Sequence, residues 1–144
     1  MVIAAPESID GPRGRVLIVE DEALIALETS SHLEDWGYAV CGVVASSSEA
    51  LRQAEQTRPE LALVDVNLGG DDGVMLARIL RERYGTAVLF LTGSSDPLSR
   101  RRMAAARPVA CVFKPYSPAE LRSAVAGALP AAYCGRGLAS GTPT

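Results

Sequence analysis

Residues 61–73 read LALVDVNLGGDDG. The run Leu61–Val64 is continuously apolar, as a strand covered on both faces requires, and it ends on Asp65. Gly69, Gly70, Asp71 and Asp72 mark a tight turn. Leu76, Ala77, Leu80 and Tyr84 then keep the 3.6-residue period of a helix over about Gly73–Tyr84, with Arg78, Arg81 and Glu82 facing outward. A buried strand, a turn rich in acids and glycines, and an amphipathic helix together form the repeating unit of an open α/β sheet.

The same unit recurs on both sides. A strand over about Val16–Glu20 precedes a helix over about Glu22–Asp35 that stops at Gly37. A second strand spans about Ala39–Ala45. Ser46-x-x-Glu49 has the pattern of a capping box and opens a helix that ends before Pro59. A fourth strand covers about Ala87–Leu91, and Asp96-Pro97 supplies a cap and first-turn proline for a helix. That helix has little apolar face, because Arg100, Arg101 and Arg102 follow one another. The last strand covers about Val109–Lys114. Ser117-Pro118-x-Glu120 opens a final helix with Leu121, Val125 and Leu129 spaced four apart. Five strands alternating with five helices predict an α/β fold, a doubly wound parallel sheet of flavodoxin-like (βα)5 type with strand order 2-1-3-4-5.

A length of 144 residues suits one domain over residues 15–129. Residues 1–14, with Pro6, Gly11, Pro12 and Gly14, are expected to form a flexible leader, and residues 130–144, rich in Gly, Ala and Ser, a disordered tail. The net charge of -3 does not draw the chain to nucleic acid or to an anionic membrane, and no apolar run has the length of a span. Residues 1–10 lack the basic region of a signal peptide, so a cytoplasmic protein is expected. Cys41 and Cys111 lie in apolar runs and are expected to be buried reduced thiols, and Cys134 lies in the tail.

Four of the five apolar runs end on residues suited to phosphate chemistry. They deliver Glu20 and Asp21, Asp65, Thr92, and Lys114, the only lysine in the chain. Ligands bind outside the carboxyl ends of such strands. The strands ending in Glu20 and Asp65 would be neighbours, about 4.8 Å apart. Strand-end acids often serve only to cap the following helix, the role expected of Glu22. Three carboxylates that close repel one another unless a cation neutralises them, and an all-oxygen set suits Mg²⁺. A carboxylate can attack phosphorus, given cationic and hydroxyl partners for the phosphoryl oxygens. Lys114 and Thr92 would be those partners, with Gly93 leaving space.

With these residues in place the chain resembles the response-regulator receiver domain of two-component signalling over about residues 15–129. The segments VLIVEDE, LALVDVNLGGDDG, VLFLTG and FKP carry the resemblance. It implies that Asp65 is the phosphoacceptor. Glu20, Asp21, Asp65 and the Asn67 backbone carbonyl would hold Mg²⁺. Thr92 and Lys114 would bind the phosphoryl group, and the Lys114–Pro115 bond would be cis. Asn67 and Ser94 would tune the lifetime of the acyl phosphate. The implied partners are a sensor histidine kinase or a histidine phosphotransfer protein, and a downstream protein target. Output, or a homodimer, would use the face of helix 4, strand 5 and helix 5. Beyond its own phosphorylation and dephosphorylation no enzymatic activity is implied.

The chain departs from the pattern in two places. Receivers usually carry an aromatic residue three positions before the lysine, coupled to the threonine, and here that position is Cys111. The switch would then rest on Thr92 and Cys111 together with Phe113, Pro115 and Tyr116. Gly69 stands where a proline is common and is expected to loosen the loop. The phrase LTGSSDP and the weak fourth helix resemble an alphaproteobacterial subgroup of stand-alone receivers. Two other readings are a degenerate receiver acting as a binding module and a small aspartyl-phosphate phosphatase. The latter usually needs a second Asp where Asn67 stands.

Overall fold

The computed structural model describes residues 13–93 and 96–129. The expected leader lies outside the described residues apart from Arg13 and Gly14, and so do the tail, Cys134 and Ser94. The main sheet contains β1 (Arg15–Val19), β2 (Ala39–Val44), β3 (Leu61–Asp65), β4 (Ala87–Thr92) and β5 (Ala110–Phe113). All neighbours run parallel, in the order β2-β1-β3-β4-β5. The helices are α1 (Ala23–Asp35), α2 (Ser47–Thr57), α3 (Gly73–Tyr84), α4 (Pro97–Ala105) and α5 (Pro118–Ala128). This is the predicted flavodoxin-like architecture. Strand limits move by a residue because Glu20 and Lys114 lie just past the ladder, whereas Thr92 still pairs with Phe113.

Alternation along the strands builds two cores. Leu17, Val19, Val64 and Phe90 face α2, α3 and α4, where they meet Ala50, Leu80 and Met103. Val16, Ile18, Leu63 and Leu89 face α1 and α5, where they meet Leu33, Leu121 and Val125. Each of these side chains is at least 98% buried, which fixes the register of the three central strands, since a one-residue slip would exchange the two faces. The helix starts follow the sequence signals. Ser46 caps α2 by accepting from the Glu49 amide, and Ser117 with Glu120 completes a capping box on α5. Glu22 occupies the cap position of α1 without a side-chain capping bond, a departure from its expected role.

Helix α4 buries Met103 alone among its residues. Polar contacts at its ends supply what its surface does not. Asp96 accepts from the Ser99 amide and hydroxyl, both at 2.9 Å. Arg81 does not simply face solvent, because its Nε donates to the Ala106 carbonyl at 3.1 Å, just past α4. Arg102 pairs with Asp72 at 2.7 Å, joining α4 to the start of α3.

Between β3 and α3 the tight turn is the end of a short ribbon pairing Asn67–Leu68 with Asp71–Asp72. Gly69 has φ +63° there, a conformation proline cannot adopt, so glycine meets the geometry of the turn. Asp71 accepts from the Ser47 amide at 2.7 Å, and Asp72 caps α3 through the Val74 and Met75 amides. At Gly73 a Cβ would stand 2.6 Å from the Asp65 carbonyl oxygen and 2.9 Å from that of Val66. Helix α3 therefore starts directly against the end of β3 because Gly73 has no side chain. Gly73→Ala should lower the free energy of unfolding by about 1–3 kcal/mol through forced backbone displacement. At Gly70 a Cβ would meet nothing within 4 Å, and Gly70→Ala should change stability by no more than about 0.5 kcal/mol. Urea denaturation of the two variants checks the contrast.

Candidate functional site

The parallel ladder brings the predicted residues to one rim. Val19 pairs with Val64, so Glu20 follows β1 at the level of Asp65 on β3. The Glu20 amide donates to the Val44 carbonyl and the Val66 amide to that of Leu91, which continues the alignment past the strand ends. Thr92 pairs with Phe113, and the Lys114 amide donates to the Thr92 carbonyl at 2.7 Å. The rim thus carries Glu20, Asp21, Asp65, Thr92 and Lys114 side by side. Glu20, Asp65 and Thr92 are buried, Lys114 is half-buried and Asp21 is exposed.

Glu20, Asp21 and Asp65 each direct a carboxylate oxygen into a cluster whose members lie within 4.8 Å of one another. Lys114 Nζ donates to Asp65 Oδ2 at 3.2 Å and stands 3.9 Å from Glu20 Oε1, close enough for charge attraction but too far for a hydrogen bond. The Asn67 amide donates to Asp65 Oδ1 at 3.0 Å, and the Glu22 amide to Glu20 Oε2 at 3.2 Å. Glu20 Oε1 is buried without a hydrogen-bond partner. A buried acceptor left unmade is costly, and three acids face one ammonium. The donor set therefore fits a hard divalent cation, which would take the orphaned oxygen and offset the repulsion.

Burial, with the Asp65 charge adding to it, pushes the Glu20 carboxyl up to about 7 against the help of the Glu22 amide and Lys114. Partial burial works against the Lys114 ammonium, but the charge of Asp65 and its hydrogen bond outweigh it, and the lysine is raised. Burial also raises Tyr116. The Lys114–Pro115 bond is cis, as the family resemblance implied.

Around this centre the sequence-predicted output residues separate. Cys111 and Cys41 are half-buried rather than fully enclosed, because both strands that carry them lie at sheet edges. Burial still raises the Cys111 thiol, which favours its neutral form. Phe113 stands 41% exposed, with the Arg100 guanidinium 6.0 Å from its ring centre. The contacts Asp72–Arg102 and Arg100–Phe113 were not evident from the sequence. Each joins residues far apart along the chain, and only the polar or aromatic character of the partners was visible.

The Glu20 carboxyl sets a pH dependence. A carboxyl raised on folding binds its proton more tightly in the native state than in the unfolded chain. In the absence of divalent cations its contribution to stability is fully present below its ordinary value of 4.5 and is lost as pH rises through about 7. At pH ~8 the Glu20→Gln variant should be more stable than the parent by roughly 2–3 kcal/mol, with the difference vanishing near pH ~4. Thermal melts across that range in a chelating buffer check it, and parallel pH profiles for the two proteins would contradict it.

The family model for the response regulator receiver domain matches residues 16–126. The transcriptional regulatory protein PdtaR of Mycobacterium tuberculosis is 34% identical over 113 residues, covering 77% of this chain and 54% of that protein. The TorCAD operon transcriptional regulatory protein TorR of Escherichia coli O157:H7 is 38% identical over 86 residues, covering 59% of this chain and 36% of that protein. The chain thus spans about half or less of the length of these curated relatives. Among solved structures, a receiver domain protein (CheY-like) from Methanospirillum hungatei superposes with a TM-score of 0.74 at 29% identity, covering 81% of this chain and 93% of that one. The signal receiver domain of a modulated diguanylate cyclase from Desulfovibrio desulfuricans gives 0.75 at 36% identity, covering 81% and 94%. The chain therefore belongs to the response regulator receiver family.

Proposed function

We propose that this chain accepts a phosphoryl group on Asp65 from the phosphohistidine of a sensor histidine kinase or of a histidine phosphotransfer protein, and signals by protein contact. The observation that supports this most is the placement of Asp65, buried yet within 4.8 Å of two further carboxylates and 3.2 Å from Lys114. An Asp65 carboxylate oxygen would bond to phosphorus as the phosphorus–nitrogen bond of the donor breaks. With the other ring nitrogen of the donor protonated, the departing nitrogen keeps the bonding pair and the ring leaves as neutral imidazole. Later attack by water on phosphorus would release inorganic phosphate and restore the carboxylate.

Mg²⁺, when bound, would screen the incoming negative charge. Glu20, Asp21, Asp65 and the Asn67 carbonyl would hold it. Lys114 would then move its hydrogen bond from the carboxylate to a phosphoryl oxygen, and the Thr92 hydroxyl would bind another. Asn67 is exposed beside Asp65, where its side chain would meet an approaching water and set the lifetime of the acyl phosphate. Ser94 is assigned the same role from the sequence. Thr92 lies in register with Phe113, so a shift at the phosphoryl site would pass along β4 to β5, Pro115 and Tyr116 and reach the α4–β5–α5 face. A target protein, or a second copy of the chain, would read that face. The setting is cytoplasmic, and no helix among the described residues is long and apolar enough to cross a membrane.

Incubation with acetyl phosphate and Mg²⁺ should label the protein, and Asp65→Asn should abolish the label. An acid-stable label persisting in that variant would remove Asp65 from its role. Steady turnover of a phosphomonoester would instead favour the phosphatase reading. Asp21→Ala should weaken Mg²⁺ binding about tenfold or more, measured by calorimetry at neutral pH. Equal affinities in the two proteins would place the ion elsewhere.

A further inference from the structure

Between α4 and β5 runs an open groove of about 590 Å³. Met103, Ala104, Cys111 and Phe113 supply its apolar surface, and Arg100 and Arg107 stand over it. No acidic residue lines it. Cys111 is the small side chain found where an aromatic ring is usual, and the groove lies directly on it. The same strand borders a second hollow of about 460 Å³ toward α5, which Cys111 and Phe113 also line.

The two arginines differ from their neighbour. Arg102 is committed to Asp72, whereas neither Arg100 nor Arg107 forms an ion pair among the described residues. Arg100 is exposed, with its guanidinium 6.0 Å from the Phe113 ring centre at the edge of the groove. Arg107 takes a left-handed backbone, φ 56°, at the turn between α4 and β5. Such a conformation is costly for a residue other than glycine, and it puts a cation beside the groove. Val109, 49% exposed just before β5, continues the row of Cys111 and Phe113 and extends the apolar character beside the groove. A chain with a net charge of -3 thus presents a local cationic groove with an apolar floor.

We infer that this groove docks an acidic segment of the target protein, with an apolar side chain seated over Cys111 and carboxylates meeting Arg100 and Arg107. The inference rests on the reading of the α4–β5–α5 face as the output surface and names the chemistry of its partner. Two guanidinium groups that form no ion pair among the described residues, over an apolar floor, match a peptide that alternates acids with an aromatic or aliphatic anchor. A nucleic-acid backbone could meet the two guanidinium groups but would leave that apolar floor uncovered.

A random short-peptide display library, panned against the full chain with and without acetyl phosphate and Mg²⁺, tests the inference. The selected peptides should carry acids flanking an apolar residue and bind more tightly to the phosphorylated protein. Their affinity, read by fluorescence anisotropy, should fall about tenfold or more in Arg100→Glu and in Arg107→Glu. It should fall likewise in Cys111→Trp, which fills the groove without altering charge. Phosphoryl uptake by all three variants should match the parent, which separates loss of docking from loss of the phosphoacceptor. If the protein takes up no label, the phosphoacceptor reading fails, and the docking inference is judged on the unphosphorylated chain alone. Peptides without acidic enrichment, affinities unchanged in the three variants, or preferential binding of a labelled single-stranded oligonucleotide would each overturn the docking inference.

Discussion

The hydrogen bond from Lys114 to the buried carboxylate of Asp65 is the contact on which the site depends. A carboxylate that is 96% buried needs a partner, and Lys114 supplies it from β5 across β4. That partnership demands that both strands end at one level, which in turn demands the parallel register of the whole sheet. The same ammonium attracts Glu20 only at a distance, which leaves a buried oxygen there without a hydrogen bond. One cation serves three acids, and the proposed divalent ion and phosphoryl group both rest on that deficit.

The connections around the rim fix the geometry without closing it. Gly73 lets α3 begin against the end of β3, and Asp71 and Asp72 tie the intervening ribbon to α2 and to α4. Asp65 itself is held from two sides, by Lys114 and by the Asn67 amide. Toward β5 the structure is less enclosed. The edge strand carries Cys111 half-buried and Phe113 exposed, and α4 touches it through arginine and Met103 rather than through a continuous apolar stripe. A firmly held rim thus stands beside a sparsely packed face, and sparsely packed regions open more readily than the core.

Much of this was legible in the sequence because apolar runs of strand length each ended on a reactive residue. The order of the strands followed from handedness rules, and the site followed from that order. Glu20, Asp21, Asp65 and Lys114 come together as expected, since backbone register alone positions them. Side-chain contacts across elements were not legible. Arg81 looked like an outward residue but reaches the Ala106 carbonyl, and Gly69 looked like a source of looseness but fits a turn that needs positive φ. Cys41 and Cys111 sit in apolar runs yet remain partly open: the predicted order already put their strands at the sheet edges, but how far the flanking helices cover an edge depends on side-chain packing. The groove over Cys111 was invisible for the same reason, since it depends on how α4 lies against β5.

The central claim is that this rim directs phosphorylation to Asp65 and to no other carboxylate. Borohydride reduction of the acetyl phosphate-treated protein, followed by peptide mass spectrometry, tests it most directly, because reduction converts an aspartyl phosphate into homoserine. The account predicts homoserine at position 65 alone, formed only when Mg²⁺ is present. Homoserine at position 21 or elsewhere, or the same yield at position 65 without a divalent cation, would contradict it.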